Sequence, residues 1–288
     1  MSSRRLLISY AHPDDESFGL GGLIAKYVNE GVEVSLICAT NGERGTVKEE
    51  FMKGYDSIGA LRLAELDCAV EKLGFKHVVK LGYMDSGMMG SETSNDAACL
   101  WQAKEEEVTR RVVEVIRDLK PQVIITFNRY GGYGHPDHIA IQRATTNAFP
   151  LAGDASYQTG QAPYKPQKLY YSSISSRQIR FGVMLTRLRG QDPRHLGRNK
   201  DFDLVAILDH IEPSHTAIDI RNWFDAWDAA SACHASQIGG GGPRLPKWTR
   251  NWISPYQNFT RIYPTPTSNR IDEHDFFENV RVDEPVAT

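Results

Sequence analysis

The chain has 288 residues, 41% hydrophobic and 24% charged, with 24 glycines and 14 prolines. That leaves room for one large α/β domain or two ordinary ones and excludes collagen-like, disordered and small disulfide-framed proteins. Thirty-three Lys and Arg against 36 Asp and Glu give a net charge of −3, so no overall positive field draws the protein to nucleic acid or to an anionic membrane.

In chain order, Arg5 to Ala11 is a short apolar run that ends in a polar, proline-containing turn, and Leu20, Leu23, Ile24, Tyr27 and Val28 then recur at helical spacing. The apolar stretch after Arg4 and Arg5 is too short for a secretory core, and no later segment predicts a membrane span. Val32 to Ala39 predicts a strand, Ile58 to Leu73 a helix, His77 to Leu81 a strand, Glu105 to Leu119 a helix stopped before Pro121, and Val123 to Phe127 a strand. A helix is expected from about Asp137, a strand near Lys168, a last strand over Asp203 to Leu208 and a helix from Ala217 to Ser236. The alternation predicts an α/β fold: a mostly parallel sheet of βαβ units with helices on both faces. Residues 1–236 are expected to form this domain. Residues 237–288, with the Gly239 to Gly242 run and then Trp248, Trp252, Tyr256 and Phe259, are expected to be an extension packed on the domain or on an oligomer partner. Residues 177 to 200 hold six arginines and Lys200 against Asp192, which predicts a solvated helix and loop or an electropositive wall beside an anionic substrate group. Cys38, Cys68, Cys99 and Cys233 are widely spaced with no C-x-x-C pair, predicting reduced thiols in a cytoplasmic setting.

The chemistry concentrates in two similar tetrapeptides, His12-Pro-Asp-Asp15 and His135-Pro-Asp-His138, each after a predicted strand and before a predicted helix. Such turns share the carboxyl edge of an open parallel sheet, where ligands bind. Together they offer three imidazoles and three carboxylates, a set suited to zinc or another divalent metal with an open position. The plainer reading is helix capping, since Asp14, Asp15 and Asp137 stand where N-caps stand and proline favours the first turn. Two such motifs at two strand ends argue against capping alone.

His12-Pro-Asp-Asp-Glu16 with Gly19, Gly21 and Gly22, and Gly131-Gly-Tyr-Gly-His-Pro-Asp-His138, resemble the LmbE/PIG-L family of zinc-dependent N-deacetylases, densely over residues 5 to 150 and again at His234-Ala-Ser-Gln237. The resemblance implies a Rossmann-like fold, zinc on His12, Asp15 and His138, and frequent oligomers. Ferrous iron suits the same ligand types.

Two imidazoles and one carboxylate leave a metal positive enough to acidify a bound water. Asp14, which cannot easily share the metal with Asp15, is placed to act as general base. Tyr133 and a protonated His135 suit the oxyanion, and Asp137 is expected to orient His135; Tyr133 also has a plain reading as a loop anchor. The resemblance gives Asp14, Tyr133 and His135 these same roles. Arg44, in Asn41-Gly-Glu-Arg-Gly45, is a candidate for lining the site, against an ordinary turn. Arg62 and Asp85 fall where thiol-pathway members of the family bind sugar and inositol hydroxyls, although Arg62 reads equally as a surface ion pair. His234 is expected to approach from the last helix or to be packed. The substrate expected is a small amino-sugar amide, with amide cleavage of a thiol conjugate as the alternative. A non-haem Fe(II) oxygenase and a metal-stabilised sugar-binding module are the readings of other classes.

Overall fold

The computed structural model describes residues 3–197, 200, 202–238, 247–253 and 255–282; the glycine run Gly239 to Gly242 and Arg198 lie outside them. Seven strands form one sheet: β1 (Arg5–Tyr10), β2 (Glu33–Thr40), β3 (His77–Tyr83), β4 (Val123–Thr126), β5 (Lys168–Ser173), β6 (Thr216–Asp219) and β7 (Tyr256–Tyr263), in the order β3-β2-β1-β4-β5-β7-β6. β1 to β5 are parallel, and β7 lies antiparallel between β5 and β6. β1 and β4 read as unbroken apolar runs because helices cover both of their faces, leaving Leu6, Leu7, Ile8, Ile124 and Ile125 without solvent contact.

The helices are α1 (Asp15–Asn29), α2 (Ile58–Leu73), α3 (Glu105–Leu119), α4 (Gly131–Gly134), α5 (Pro136–Ala152), α6 (Ser176–Leu188), α7 (Leu204–Asp209), α8 (Phe224–Cys233) and α9 (Lys247–Ile253). Their limits follow local chemistry. Ser57 accepts from the Ala60 N–H to open α2, and Gly74 closes it in the left-handed region. Three glutamates start α3, where the helix dipole favours them. α8 lies across α1 at Gly21, where a Cβ would come within 2.7 Å of the Trp227 ring, so only glycine permits that approach.

The chain runs from β1 outward through β2 and β3, then returns to place β4 on the other side of β1. The crevice at the carboxyl ends of β1 and β4 is thus a topological switch point, the place where an open α/β sheet binds ligands.

Three expectations are corrected. Asp203 to Leu208 is not a strand: Asp203 accepts from the N–H groups of Val205 and Ala206 at 2.8 and 2.9 Å, and this cap starts α7. A short apolar run suits helix or strand alike, and the cap decides. The stretch from Ala217 begins in strand β6, with α8 only from Phe224. Cys68 and Cys233 form a disulfide, with Cα atoms 5.7 Å apart, because α2 packs on α8; a linear spacing of 165 residues gives no sign of this. The bond withdraws the ground on which a reducing compartment was expected. Cys38 and Cys99 are free and buried. Among the described residues no helix is long and apolar enough to cross a membrane.

Candidate active site

β1 delivers His12-Pro-Asp-Asp15 to the switch point, and β4 delivers His135 to His138 through the glycine loop that follows it. Asp14 takes a left-handed backbone, φ 114°, and its side chain makes no capping bond to α1. His135 instead caps α5, its Nδ1 accepting from the Asp137 N–H at 3.2 Å. The capping reading of the aspartates therefore does not describe this site.

Three side chains, His12, Asp15 and His138, form a triangle. His12 Nδ1 lies 3.1 Å from His138 Nε2, and the Asp15 carboxylate spans the pair, with Oδ2 3.4 Å from His12 Nδ1 and Oδ1 3.3 Å from His138 Nε2. Two imidazoles and a carboxylate are a donor set for a divalent ion. Outer contacts free these lone pairs. The His138 Nδ1–H donates to the Gly131 carbonyl at 3.0 Å, leaving Nε2 as the acceptor, and Phe127 stacks on the ring at 3.9 Å. His12 Nε2 bonds Asp137 at 3.0 Å, leaving Nδ1 toward the triangle. Two other groupings, His12, Asp85, His135 and Asp137, and His12, His135 and His138, each bring one donor atom per residue within 4.8 Å of one another. Those sets are less suitable, since His135 Nδ1 is occupied by the Asp137 N–H and Asp137 already receives Ser86 N and Oγ and His12.

The charges arrange themselves around this triangle. Burial opposes a proton on His12, but the Asp85, Asp137 and Asp15 carboxylates prevail and raise its pKa well above the ordinary value; the same negative field would attract a cation. Asp15 is held well below the carboxylate range by His138 and His12 despite its burial. Asp14 is pushed up to about 6 by burial, against Arg62 and with Asp15 reinforcing the rise. Burial, together with His12 and His138, lowers His135 well below its usual value. His135 is thus a neutral imidazole, and because Nδ1 accepts, its proton sits on Nε2.

Several roles change accordingly. The Asp137 carboxylate orients His12, whereas only its backbone N–H serves His135. His135 is not protonated, but it still has an N–H to donate. Arg62 is 3% exposed, so it is no surface ion pair: it reaches Asp14 at 2.9 Å, the Gly42 carbonyl at 3.1 Å and the Pro13 carbonyl. His234 has no exposed surface and bonds Glu16 at 2.8 Å. It stands behind the site and does not reach the substrate space. Glu16 also accepts from the Asp14 N–H at 3.0 Å, so the pair steadies the strained turn at Asp14.

A cavity of about 660 Å³ opens beside the triangle. His12, Asp14, Tyr133 and His135 form one wall, with Arg44, Arg62, Asp85 and Gln237 among the polar lining. The Asp85 carboxylate accepts from the N–H groups of Gly87 at 2.8 Å and Arg44 at 3.3 Å. Tyr133 leans on His138 and Phe202, with centroids 5.1 and 5.6 Å apart, and joins a small cluster of Ile179, Val183 and Ile207 from α6 and α7. The arginine-rich segment therefore meets the site as this packed cluster and through Gly197, and among the described residues none of its arginines lines the cavity. Ser86, Glu16, Phe127 and Phe202 received no site role from the sequence. Glu16 lies in the first motif and Ser86 adjoins Asp85, whereas nothing in the sequence marks Phe127 or Phe202 as site residues.

The family model described as PIG-L: GlcNAc-PI de-N-acetylase matches residues 7–149. A 1D-myo-inositol 2-acetamido-2-deoxy-alpha-D-glucopyranoside deacetylase of Rhodococcus jostii is 36% identical over 83% of this chain and 83% of its own. The enzyme of that name from Thermomonospora curvata is 35% identical over 82% of each chain. Among solved structures, the N,N'-diacetylchitobiose deacetylase of Pyrococcus horikoshii superposes with a TM-score of 0.62 at 18% identity, over 93% of this chain and 88% of its own, and shows the shared fold. On the sequence similarity, and with both His-Pro-Asp motifs brought to one site, the chain belongs to the PIG-L (GlcNAc-PI de-N-acetylase) family.

Proposed function

We propose that this protein is a zinc-dependent N-deacetylase acting on an N-acetylglucosamine unit linked to a small polyol, the substrate type for which the Rhodococcus and Thermomonospora relatives are named. The observation that carries the reading is the convergence of His12, Asp15 and His138, with His12 and the neighbouring Asp14 on the wall of a polar cavity. Zinc held by these three residues would polarise the amide carbonyl and acidify water in its open position. Asp14, with a pKa of about 6, is ionised at neutral pH yet basic enough to accept that water's proton and pass it to the leaving amine. Arg62 fixes the carboxylate for this transfer. The His135 Nε2–H donates to the carbonyl oxygen as negative charge builds there, and the Tyr133 hydroxyl, which burial keeps protonated, donates from the rim. Asp85, Arg44 and Gln237 face the space for the sugar and polyol hydroxyls. Ferrous iron would suit the same donors, and metal analysis of the purified protein decides between the two. A homo-oligomer also belongs to this proposal, supported by Trp248 and Trp252, which are 74% and 84% exposed; sedimentation tests it.

The test is amine release from free, inositol-linked and malate-linked N-acetylglucosamine, chito-oligomers and a thiol conjugate, after chelation and metal restoration. Metal-dependent turnover of one member, absent in His138→Ala, is expected. Silence across the panel with metal demonstrably bound sinks the reading.

A further inference from the structure

The candidate ligand atoms stand in a wall between two cavities. The second, of about 440 Å³, shares Asp14, Asp15, Tyr133 and His138 with the site. Beyond them its lining is mostly apolar, with Tyr10, Phe18, Phe127, Ile220, Trp227 and Phe259, although Gln178, Gln257 and Asn258 also reach it. Packing holds these rings in place: Tyr10 stacks on Phe127 at 4.1 Å, Trp227 rests on the α1 glycines, and Phe259 has no solvent contact. At its outer end Ile174 and Tyr256 are 44% and 43% exposed, which marks the mouth.

We propose that this second cavity receives the acyl side of the scissile amide, so that the protein hydrolyses N-acyl amino sugars whose acyl chains extend well beyond acetyl. The inference rests on the deacetylase reading above. An amide presents two unlike halves to the reacting carbon. The amine half carries a polyol, which suits the cavity lined by Arg44 and Asp85; the acyl half carries hydrocarbon, which suits the ring-lined cavity across the wall. An acetyl methyl would leave most of the second cavity empty, whereas sites of roughly 300–1,000 Å³ hold drug-sized ligands. Each methylene placed against these rings leaves water and adds binding. The chemical step is unchanged: the water oxygen bonds to the acyl carbon, the C–N bond breaks, one water proton goes to the leaving nitrogen, and the other is lost from the carboxylic acid.

Gly19 lies on α1 at the edge of this cavity, and a Cβ there would meet nothing nearer than the Tyr10 ring at 3.9 Å. The Cβ of Gly19→Leu therefore has room at the cavity's edge. The assay compares kcat/KM for N-acetyl, N-butanoyl and N-octanoyl glucosaminyl-inositol in the metal-loaded protein. Wild type is expected to cleave the octanoyl amide at least as well as the acetyl amide. The octanoyl-to-acetyl ratio is expected to fall about tenfold or more in Gly19→Leu, the scale at which a filled apolar pocket rejects added methylenes. Ile174→Asp, at the exposed mouth, is the second variant and should lower the same ratio. The ratio is unaffected by a general loss of folded enzyme. Cleavage of the acetyl amide alone overturns the inference and leaves the deacetylase standing. Octanoyl cleavage with an unchanged ratio in both variants places the chain elsewhere and also overturns it. Cleavage of none of the three removes both readings.

Discussion

Replacing Asp14 with Asn tests the electrostatics of the site in the folding equilibrium, apart from catalysis. Burial outweighs the Arg62 guanidinium and moves the Asp14 pKa from the ordinary 3.8 to about 6. A folded pKa above the unfolded one means that the contribution to stability is complete below pH 3.8 and is lost as pH rises through 6. With these two values, linkage gives a loss of roughly 1–2 kcal/mol by pH 5 and about 3 kcal/mol by pH 8. Asn has the shape of the protonated acid, does not titrate, and accepts the left-handed backbone at φ 114°. The Asp14→Asn protein should therefore gain on wild type by roughly 1–2 kcal/mol between pH 5 and pH 8. Differences between the two proteins that do not depend on pH cancel in this comparison. Urea unfolding of both, with chelator present, at several pH values over this range is the assay. A stability difference that stays flat, or shrinks as pH rises, refutes the claim that burial sets the proton affinity of Asp14. The same variant lacks the carboxylate that accepts the water proton, so its amide hydrolysis should fall by roughly 10²–10⁴.

Asp137→Asn removes the carboxylate behind His12 and should weaken metal binding by about 10–100-fold, measured by competition with a chromogenic chelator; unchanged affinity would show that Asp137 does not prepare the ligand. Gly131→Ala places a Cβ 2.8 Å from Ile139 Cγ1 and 3.0 Å from His138 Cβ at a φ of 67°. It should destabilise the fold by about 1–3 kcal/mol and loosen metal binding with it, because the Gly131 carbonyl holds His138; thermal unfolding with and without metal reports both. Reduction of the Cys68–Cys233 bond, which closes a loop of 165 residues, should lower unfolding free energy by about 2–4 kcal/mol, and Cys68→Ser should show the same loss with no further response to reductant.

Much of this protein is determined locally. Short apolar runs bounded by turns and alternating with helical patterns read as strands, so β1, β2 and β4 were readable from residue type and context. The two His-Pro-Asp turns could be assigned to one sheet edge because parallel strands with helical crossovers must point the same way. That ground gathered three imidazoles and three carboxylates as a possible metal set; the choice of His12, Asp15 and His138 among them came from the family resemblance. What the sequence left open are matters of packing between distant elements. The run from Asp203 suits helix or strand until its cap is seen, and the disulfide depends on α2 lying against α8. Arg62 carries the same charge on a surface as in the interior; only the approach of Gly42, Pro13 and Asp14 makes it a buried partner. Asp137 sits two residues from His135 yet turns its carboxylate to His12, and His234 faces Glu16 rather than the cavity. Sequence proximity does not fix a side chain's direction. The tertiary structure settled those contacts, because each depends on which surfaces of separate helices and loops are pressed together around the switch point.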